Sequence, residues 1–297
     1  MPQLTGLHLY PVKSTYRLSP QSADVEPWGL TGDRRWMLVD DRGRAVTQRD
    51  QPLLALYRAT PAPDGGLLMT APDGATVEIA APSVERGDPQ AEVEIFGTLF
   101  GAAEAAKEVQ LWFAERLGDV RLVHLDRPHT SRPIKEKYRL PGETVSMADG
   151  FPLLLTTTAS LAELNRRIAA DHPDDPVKGA ALPMERFRPN LVVDGAEPWA
   201  EESWRRVAIG GLTFRAAKLC ARCVVTTTDQ ESGVRRGPEP LRALGRHHRI
   251  GQKLIFGVNL VPERPTGVTG DRLGTVRIGD ELTVLTHGPY VDPEDAP

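Results

Sequence analysis

Short segments in which apolar and polar residues alternate recur along the whole chain, and this period predicts β-strands. Residues 67–70 and 75–79 alternate around a Pro-Asp-Gly turn, so they predict a β-hairpin. Residues 36–40 and 45–48 predict a second hairpin with a glycine in its loop. The same pattern predicts further strands at residues 7–10, 93–96, 121–125, 190–193, 206–209, 212–215, 255–260, 274–278 and 281–285.

Helical spacing of apolar residues is rarer and predicts three helices. Residues 103–117 have such spacing and are followed by a glycine that can end a helix. Residues 160–172 begin with Ser160 and Glu163, the spacing of a capping box, in which each side chain bonds a backbone N–H at the helix start. A short helix is predicted over residues 238–246. Many short strands with few helices predict a β-rich α+β fold with closed or partly closed barrels.

An aperiodic stretch divides the chain. Residues 126–150 are rich in Pro, Arg, Lys and Thr, which is typical of a linker or an active-site loop. A chain of 297 residues is long enough for two domains. We therefore predict an N-terminal barrel-like domain over residues 1–125 and a second domain over residues 126–288. The acidic, proline-bearing residues 289–297 predict a disordered tail.

Composition narrows the class of protein. Hydrophobic residues make up 40% and charged residues 26%, as in globular proteins, and the net charge is −4. This balance gives no general attraction to nucleic acids or anionic membranes, so we expect no nucleic-acid binding. The chain has no signal-peptide pattern, no apolar run long enough to span a membrane and only two cysteines. We expect no membrane association and a cytoplasmic location.

Both cysteines lie in one segment, with two residues between Cys220 and Cys223. The valines and threonines that follow have branched β-carbons, so the motif is predicted to lead directly into a strand. A zinc ribbon would need a second pair of ligands, and a thioredoxin-type pair would precede a helix. Spacing alone therefore favours two buried structural thiols.

Four segments place a cation beside a predicted strand end, where a barrel can gather side chains around an anion. They are Tyr10-Pro11-Val12-Lys13-Ser14, Gly32-Asp33-Arg34-Arg35-Trp36, Arg186-Phe187-Arg188-Pro189-Asn190 and Cys220-Ala221-Arg222-Cys223-Val224-Val225-Thr226-Thr227. In sequence and order they resemble the MOSC proteins, named for the molybdenum-cofactor sulfurase C-terminal domain. The resemblance is greatest to the subgroup with an N-terminal MOSC β-barrel domain, which includes the mitochondrial amidoxime-reducing component. It covers residues 4–285 and implies an N-terminal MOSC-type β-barrel domain followed by a MOSC β-barrel domain.

The resemblance also implies a molybdenum–molybdopterin cofactor whose metal is bound by Cys223. A soft thiolate suits molybdenum, and Arg222 beside it would favour the ionised thiol. Arginine also suits phosphate, to which it donates paired hydrogen bonds. The family positions that hold the pterin and its phosphate correspond here to Lys13, Ser14, Arg34, Arg188, Asn190 and Arg222. Ala221 stands where the family motif often has a serine that contacts the cofactor, and Phe151 stands where some relatives have a serine.

The function that the resemblance implies is a molybdenum-dependent oxidoreductase that reduces N-hydroxylated amidines, amines or nucleobases. Its electrons would come from a separate donor protein, a flavin reductase or a ferredoxin, because two cysteines cannot hold an iron–sulfur cluster. Asp229 is a further catalytic candidate, as a proton donor or a cofactor-positioning group, with a turn-forming aspartate as the alternative. A non-catalytic carrier of molybdenum cofactor or of sulfur on Cys223 would need the same residues.

Overall fold

The computed structural model describes residues 1–289, apart from the side chains of residues 130 and 131. Its four α-helices are α1 Lys107–Leu117, α2 Pro128–Ser131, α3 Thr158–Asp171 and α4 Leu241–His247. Its eighteen β-strands are β1 Gln3–Leu7, β2 Ser22–Glu26, β3 Gly29–Leu30, β4 Trp36–Val39, β5 Arg58–Pro61, β6 Leu67–Thr70, β7 Thr76–Ile79, β8 Gln90–Ile95, β9 Thr98–Glu104, β10 Arg121–His124, β11 Leu153–Thr157, β12 Leu191–Asp194, β13 Trp204–Ile209, β14 Leu212–Ala221, β15 Arg249–Ile250, β16 Lys253–Pro262, β17 Gly274–Arg277 and β18 Leu282–His287. The predicted β-rich α+β class is confirmed.

The largest sheet has eight strands and curls until its two edges meet. Its strands follow the order β1-β12-β11-β16-β14-β13-β18, with β15 pairing to β16 outside this path. Beside the two edge strands, Gln3 bridges to Glu281, and the Leu4 N–H donates to the Asp280 carbonyl over 2.8 Å. A cluster of buried apolar side chains that includes Phe214 and Val258 packs against these strands. Curling of this kind leaves few unpaired strand edges.

Three smaller sheets complete the fold, with strand orders β4-β10-β9-β8, β5-β6-β7 and β17-β2-β3. A second apolar cluster, which includes Trp36, Leu54 and Phe113, packs α1 against the first two of them. The first strands do not stay within the N-terminal half, since β1 pairs with β12 and β2 pairs with β17. The domain boundaries therefore remain a prediction. The predicted tail lies outside the described residues beyond Pro289.

Of the two predicted hairpins, one forms as expected and the other does not. The hairpin of β6 and β7 is confirmed, but residues 45–48 form only an isolated bridge from Ala45 to Val39. The Asp40 carboxylate accepts from the backbone N–H groups of Arg42 and Arg44, and these bonds hold a wider loop. Helix α1 begins at Lys107 instead of residue 103, because residues 103 and 104 pair with β10 as part of β9.

The predicted capping box at the start of α3 is wrong. The N-cap is Thr157, whose hydroxyl accepts from the Ser160 N–H over 3.2 Å. Ser160 lies inside the helix and donates to a carboxylate oxygen of Glu201, while Glu163 pairs with arginines one turn along the helix. A run of three threonines offers several capping residues, so the sequence did not distinguish the one in use. None of the helices in residues 1–289 is long and apolar enough to span a bilayer.

Candidate functional site

The cysteine motif follows a strand instead of leading into one. Cys220 lies at the end of β14, and residues 224–227 form a short 3-10 helix. The hydroxyls of Thr226 and Thr227 donate to the carbonyls of Cys223 and Val224, over 2.9 and 2.7 Å. Bonding of threonine to a carbonyl three residues back stabilises a tight turn and here outweighs the strand preference of branched residues. The predicted strand after Cys223 is therefore wrong.

Both cysteines are free thiols of intermediate exposure that line the same pocket. This exposure does not fit the alternative of two buried structural thiols. The pocket also collects side chains from the loops after β1 and β4 and from the loops before β4, β11 and β12. Seven of the eight predicted site residues line it: Lys13, Ser14, Arg34, Arg188, Asn190, Arg222 and Cys223.

Backbone strain concentrates at this pocket. Ser14, Arg34 and Arg188 have φ angles of 69°, 48° and 53°, in the left-handed region that side chains with a β-carbon adopt at a cost. In the described part of the chain, only Phe96 and Trp199 among the other non-glycine residues have positive φ. Strained residues persist where the surrounding structure holds them, and such places are often binding sites.

Two arginines share one aromatic ring at the base of the site. The guanidinium carbons of Arg34 and Arg188 lie 4.4 and 4.1 Å from the ring centroid of Tyr10, which is fully buried. Arg34 pairs with Asp33 and donates to the Asn190 side-chain oxygen over 3.1 Å. This arrangement brings two cations together, and among the described residues only the Asp33 carboxylate pairs with either of them.

Arg188 has only neutral hydrogen-bond acceptors in the described chain. Its Nη1 donates to the Thr15 carbonyl over 2.9 Å and to the Gln230 side-chain oxygen over 3.0 Å, and its Nη2 is buried without a partner. Burial lowers the pKa of Arg188 to about 10, so the guanidinium remains charged at neutral pH. A buried cation with a donor left over is suited to an anion in the adjoining pocket.

A second charged cluster surrounds Cys223. The Lys13 ammonium pairs with Asp149 and donates to the Met147 carbonyl over 3.0 Å. Arg49 Nη2 lies 3.3 Å from both Asp149 Oδ2 and Cys223 Sγ. Burial lowers the pKa of Lys13 to about 8, although Asp149 opposes that shift. The neighbouring cations, Lys13 first and then Arg49, hold the pKa of Asp149 well below its usual range, so it is an anion at neutral pH.

The arginine beside Cys223 in sequence bonds the other thiol. Arg222 Nη1 donates to Cys220 Sγ over 2.8 Å, Nη2 donates to the Phe187 carbonyl over 2.6 Å, and Nε is buried without a partner. In extended chain, residues two apart face the same side while adjacent residues face opposite sides. Arg222 therefore lies on the same side of the chain as Cys220. The contact with Cys223 that the sequence led us to expect of Arg222 is made by Arg49 instead.

The sequence did not indicate Arg49 or Asp149 as individual site residues. Arg49 follows β4 in a loop without a motif, and Asp149 lies in the aperiodic stretch predicted to be a linker or an active-site loop. Asp229, by contrast, does not line the pocket. Its Oδ1 accepts from the N–H groups of Glu231 and Ser232, so it has the turn-forming role that was the alternative. Residues 1–289 hold no group of three or more His, Cys, Asp or Glu side chains that could bind a metal ion.

Comparison with known proteins matches both halves of the chain. Residues 1–120 match the MOSC N-terminal beta barrel domain and residues 142–283 the MOSC domain. Mitochondrial amidoxime-reducing component 1 of Danio rerio is 30% identical over 297 residues, which cover 96% of this chain and 85% of that protein. Mitochondrial amidoxime-reducing component 1 of Mus musculus is 29% identical over 94% of this chain and 81% of that protein. Molybdenum cofactor sulfurase of Oryza sativa is 30% identical over 86% of this chain but 32% of its own length. The chain therefore belongs to the MOSC proteins with an N-terminal MOSC β-barrel domain, the family that includes the mitochondrial amidoxime-reducing component.

Proposed function

We propose that this protein is a molybdenum-cofactor-dependent oxidoreductase that reduces N-hydroxylated compounds in the Cys223 pocket. The observation that carries the proposal is that an accessible thiol shares one pocket with five cationic side chains and a single carboxylate, Asp149. The cations are Lys13, Arg34, Arg49, Arg188 and Arg222. Relatives named for amidoxime reduction and for the molybdenum cofactor support the same assignment.

The residues of the pocket fit a cofactor with a phosphate at one end and a metal at the other. Arg188 Nη2 and Arg222 Nε are buried N–H groups without an acceptor among the described residues. An unsatisfied buried donor costs about 1–3 kcal/mol, which phosphate or pterin oxygens would offset. Cys223 would bind the metal, and the predicted cofactor residues would hold the pterin and its phosphate. When bound, the cofactor would supply the two-electron redox chemistry of the reaction.

The protein would orient the substrate and manage its protons. Reduction breaks the N–O bond of the substrate, consumes two electrons and two protons, and releases water. The Asp149 carboxylate, 58% exposed, is placed to accept a hydrogen bond from the substrate hydroxyl. Lys13 Nζ holds a proton that a pKa of about 8 makes exchangeable near neutral pH. We expect the electrons to come from a separate donor protein, a flavin reductase or a ferredoxin, and the location to be cytoplasmic.

Turnover tests this proposal directly. We expect protein purified from a host that makes molybdenum cofactor to reduce N-hydroxybenzamidine to benzamidine when a reduced viologen dye supplies electrons. The rate should be proportional to the molybdenum content of the preparation, because each loaded pocket is one active site. Protein that is loaded with molybdenum but reduces no N-hydroxylated amidine, amine or nucleobase would refute the reductase and favour the cofactor carrier.

A further inference from the structure

A second pocket adjoins the Cys223 pocket and shares Asp149, Gly150 and Phe151 with it. Its wall also has cations, but it has aromatic rings and no thiol. The rings belong to Phe96, Tyr138 and Phe151, and the cations to Arg132, Lys135 and Lys218. A molecule whose reacting group lies beside Cys223 would extend into this second pocket, which we call the aromatic pocket.

Phe96 occupies a position that is unfavourable for folding. It forms the two-residue turn between β8 and β9 with Gly97, and their φ angles are 48° and 79°. Turns with two positive φ angles favour Asn-Gly or Asp-Gly, and phenylalanine is strained there. The Phe96 side chain is also 57% exposed, so little apolar burial offsets the strain. A ligand that covers the ring would account for a phenylalanine at this place.

Phe96 is also in contact with the residues around the thiol. The guanidinium carbon of Arg49 lies 5.1 Å from the Phe96 ring centroid, and Arg49 Nη2 lies 3.3 Å from Cys223 Sγ. On another wall, Phe151 meets Tyr138 edge to face at a centroid distance of 5.6 Å. Phe151 lines both pockets, so its aromatic ring lies at their junction.

The charge of the aromatic pocket is positive. Asp149 is its only lining carboxylate in the described chain, and that group already pairs with Lys13 and Arg49. Lys135 is exposed, and the Nε of the buried Arg132 has no hydrogen-bond partner in the described chain. A negatively charged group on a ligand would therefore be attracted to Arg132 and Lys135.

We propose that the aromatic pocket binds the organic part of the substrate, and that this part is an aromatic ring with a carboxylate or a similar anionic group. The ring packs against Phe96 and Phe151, and the anionic group faces Arg132 and Lys135. The identity of the reacting group rests on the proposed function, whereas recognition of the ring and its charge does not.

Replacement of Phe96 separates ligand binding from a structural role. With cofactor-loaded protein, calorimetry should show Phe96→Asn binding N-hydroxybenzamidine about tenfold more weakly, because the ring contact is lost. The same variant should unfold about 2 °C higher, because asparagine suits the turn. Leu99→Asn is the matched control, since Leu99 is an exposed apolar residue of the same hairpin outside both pockets. It should leave binding unchanged.

The charge is tested with the 4-carboxy derivative of the same compound. The parent protein should bind it about tenfold more tightly than the uncharged compound, and Lys135→Gln should remove most of this preference. Lys107→Gln, at the exposed start of α1, is the control for net charge. Unchanged binding in Phe96→Asn, or no preference for the carboxylate, would overturn the inference even if turnover persists. The expected binding pattern without turnover would uphold it and refute the reductase.

Discussion

Replacing Cys223 with alanine is expected to lower the molybdenum content of the purified protein by at least about tenfold. Both thiols line the pocket, and each has a guanidinium at hydrogen-bond distance: Arg49 lies 3.3 Å from Cys223 Sγ, and Arg222 donates to Cys220 Sγ over 2.8 Å. These contacts therefore do not distinguish the two sulfurs. Cys223 is expected to be the metal ligand because it corresponds to the second cysteine of the MOSC motif, and a soft thiolate suits molybdenum.

Cys220→Ser is the matched control for this experiment. Its hydroxyl can still accept from Arg222, which the Phe187 carbonyl also holds, so the variant should keep most of its molybdenum. Elemental analysis of the parent and both variants from one cofactor-producing host measures the effect. Equal molybdenum in all three would refute Cys223 as the ligand, and loss in Cys220→Ser alone would transfer that role to Cys220. No molybdenum in any, from a host that loads another molybdoenzyme, would refute the cofactor itself.

The parts of the site that could be predicted lie in short motifs. Lys13, Arg34, Arg188 and Cys223 each belong to a segment whose residues are distinctive in themselves, and the structure brings all four to one pocket. Arg49 belongs to no such segment. It meets Asp149 and Cys223 across 100 and 174 residues of chain, and such contacts depend on strand order. Periodicity and spacing describe neighbours along the chain, so they do not reveal a pairing of this kind.

The fold class followed from strand periodicity, but the path of the chain did not. Alternation marks β6 and β7 clearly, whereas the pairing of β1 with β12 joins residues nearly two hundred positions apart. The prediction of a strand over the threonines after Cys223 was wrong, because branched residues favour strands only on average. Two specific hydroxyl–carbonyl bonds decide that segment. Average preferences are weakest where side chains bond their own backbone.

A second large effect is expected on the stability of the protein. It arises at Glu201, which does not line the Cys223 pocket. Its side chain is fully buried, and Oε2 accepts from the hydroxyls of Thr157 and Ser160. Oε1 has no hydrogen-bond partner within the described part of the chain. Burial raises the pKa of Glu201 to about 7, from 4.5 in exposed chain, with a smaller contribution from the adjacent carboxylate of Glu202. The folded state thus binds this proton more tightly than the unfolded state. The free energy of unfolding should fall as pH rises from 4.5 through 7, and the penalty is complete above pH 7.

Glu201→Gln should remove that penalty, because the amide cannot ionise and can still occupy the same hydroxyl contacts. A shift from 4.5 to about 7 corresponds to about 3 kcal/mol in the free energy of unfolding. Denaturant titrations should therefore show the variant more stable than the parent by up to that amount at pH 8, with the difference nearly gone at pH 4.5. Glu197→Gln, at an exposed glutamate four residues earlier, should show no such pH dependence. A stability difference for Glu201→Gln that is the same at both pH values would mean that Glu201 is ionised in the folded protein, and that its buried charge is stabilised by the hydroxyls of Thr157 and Ser160.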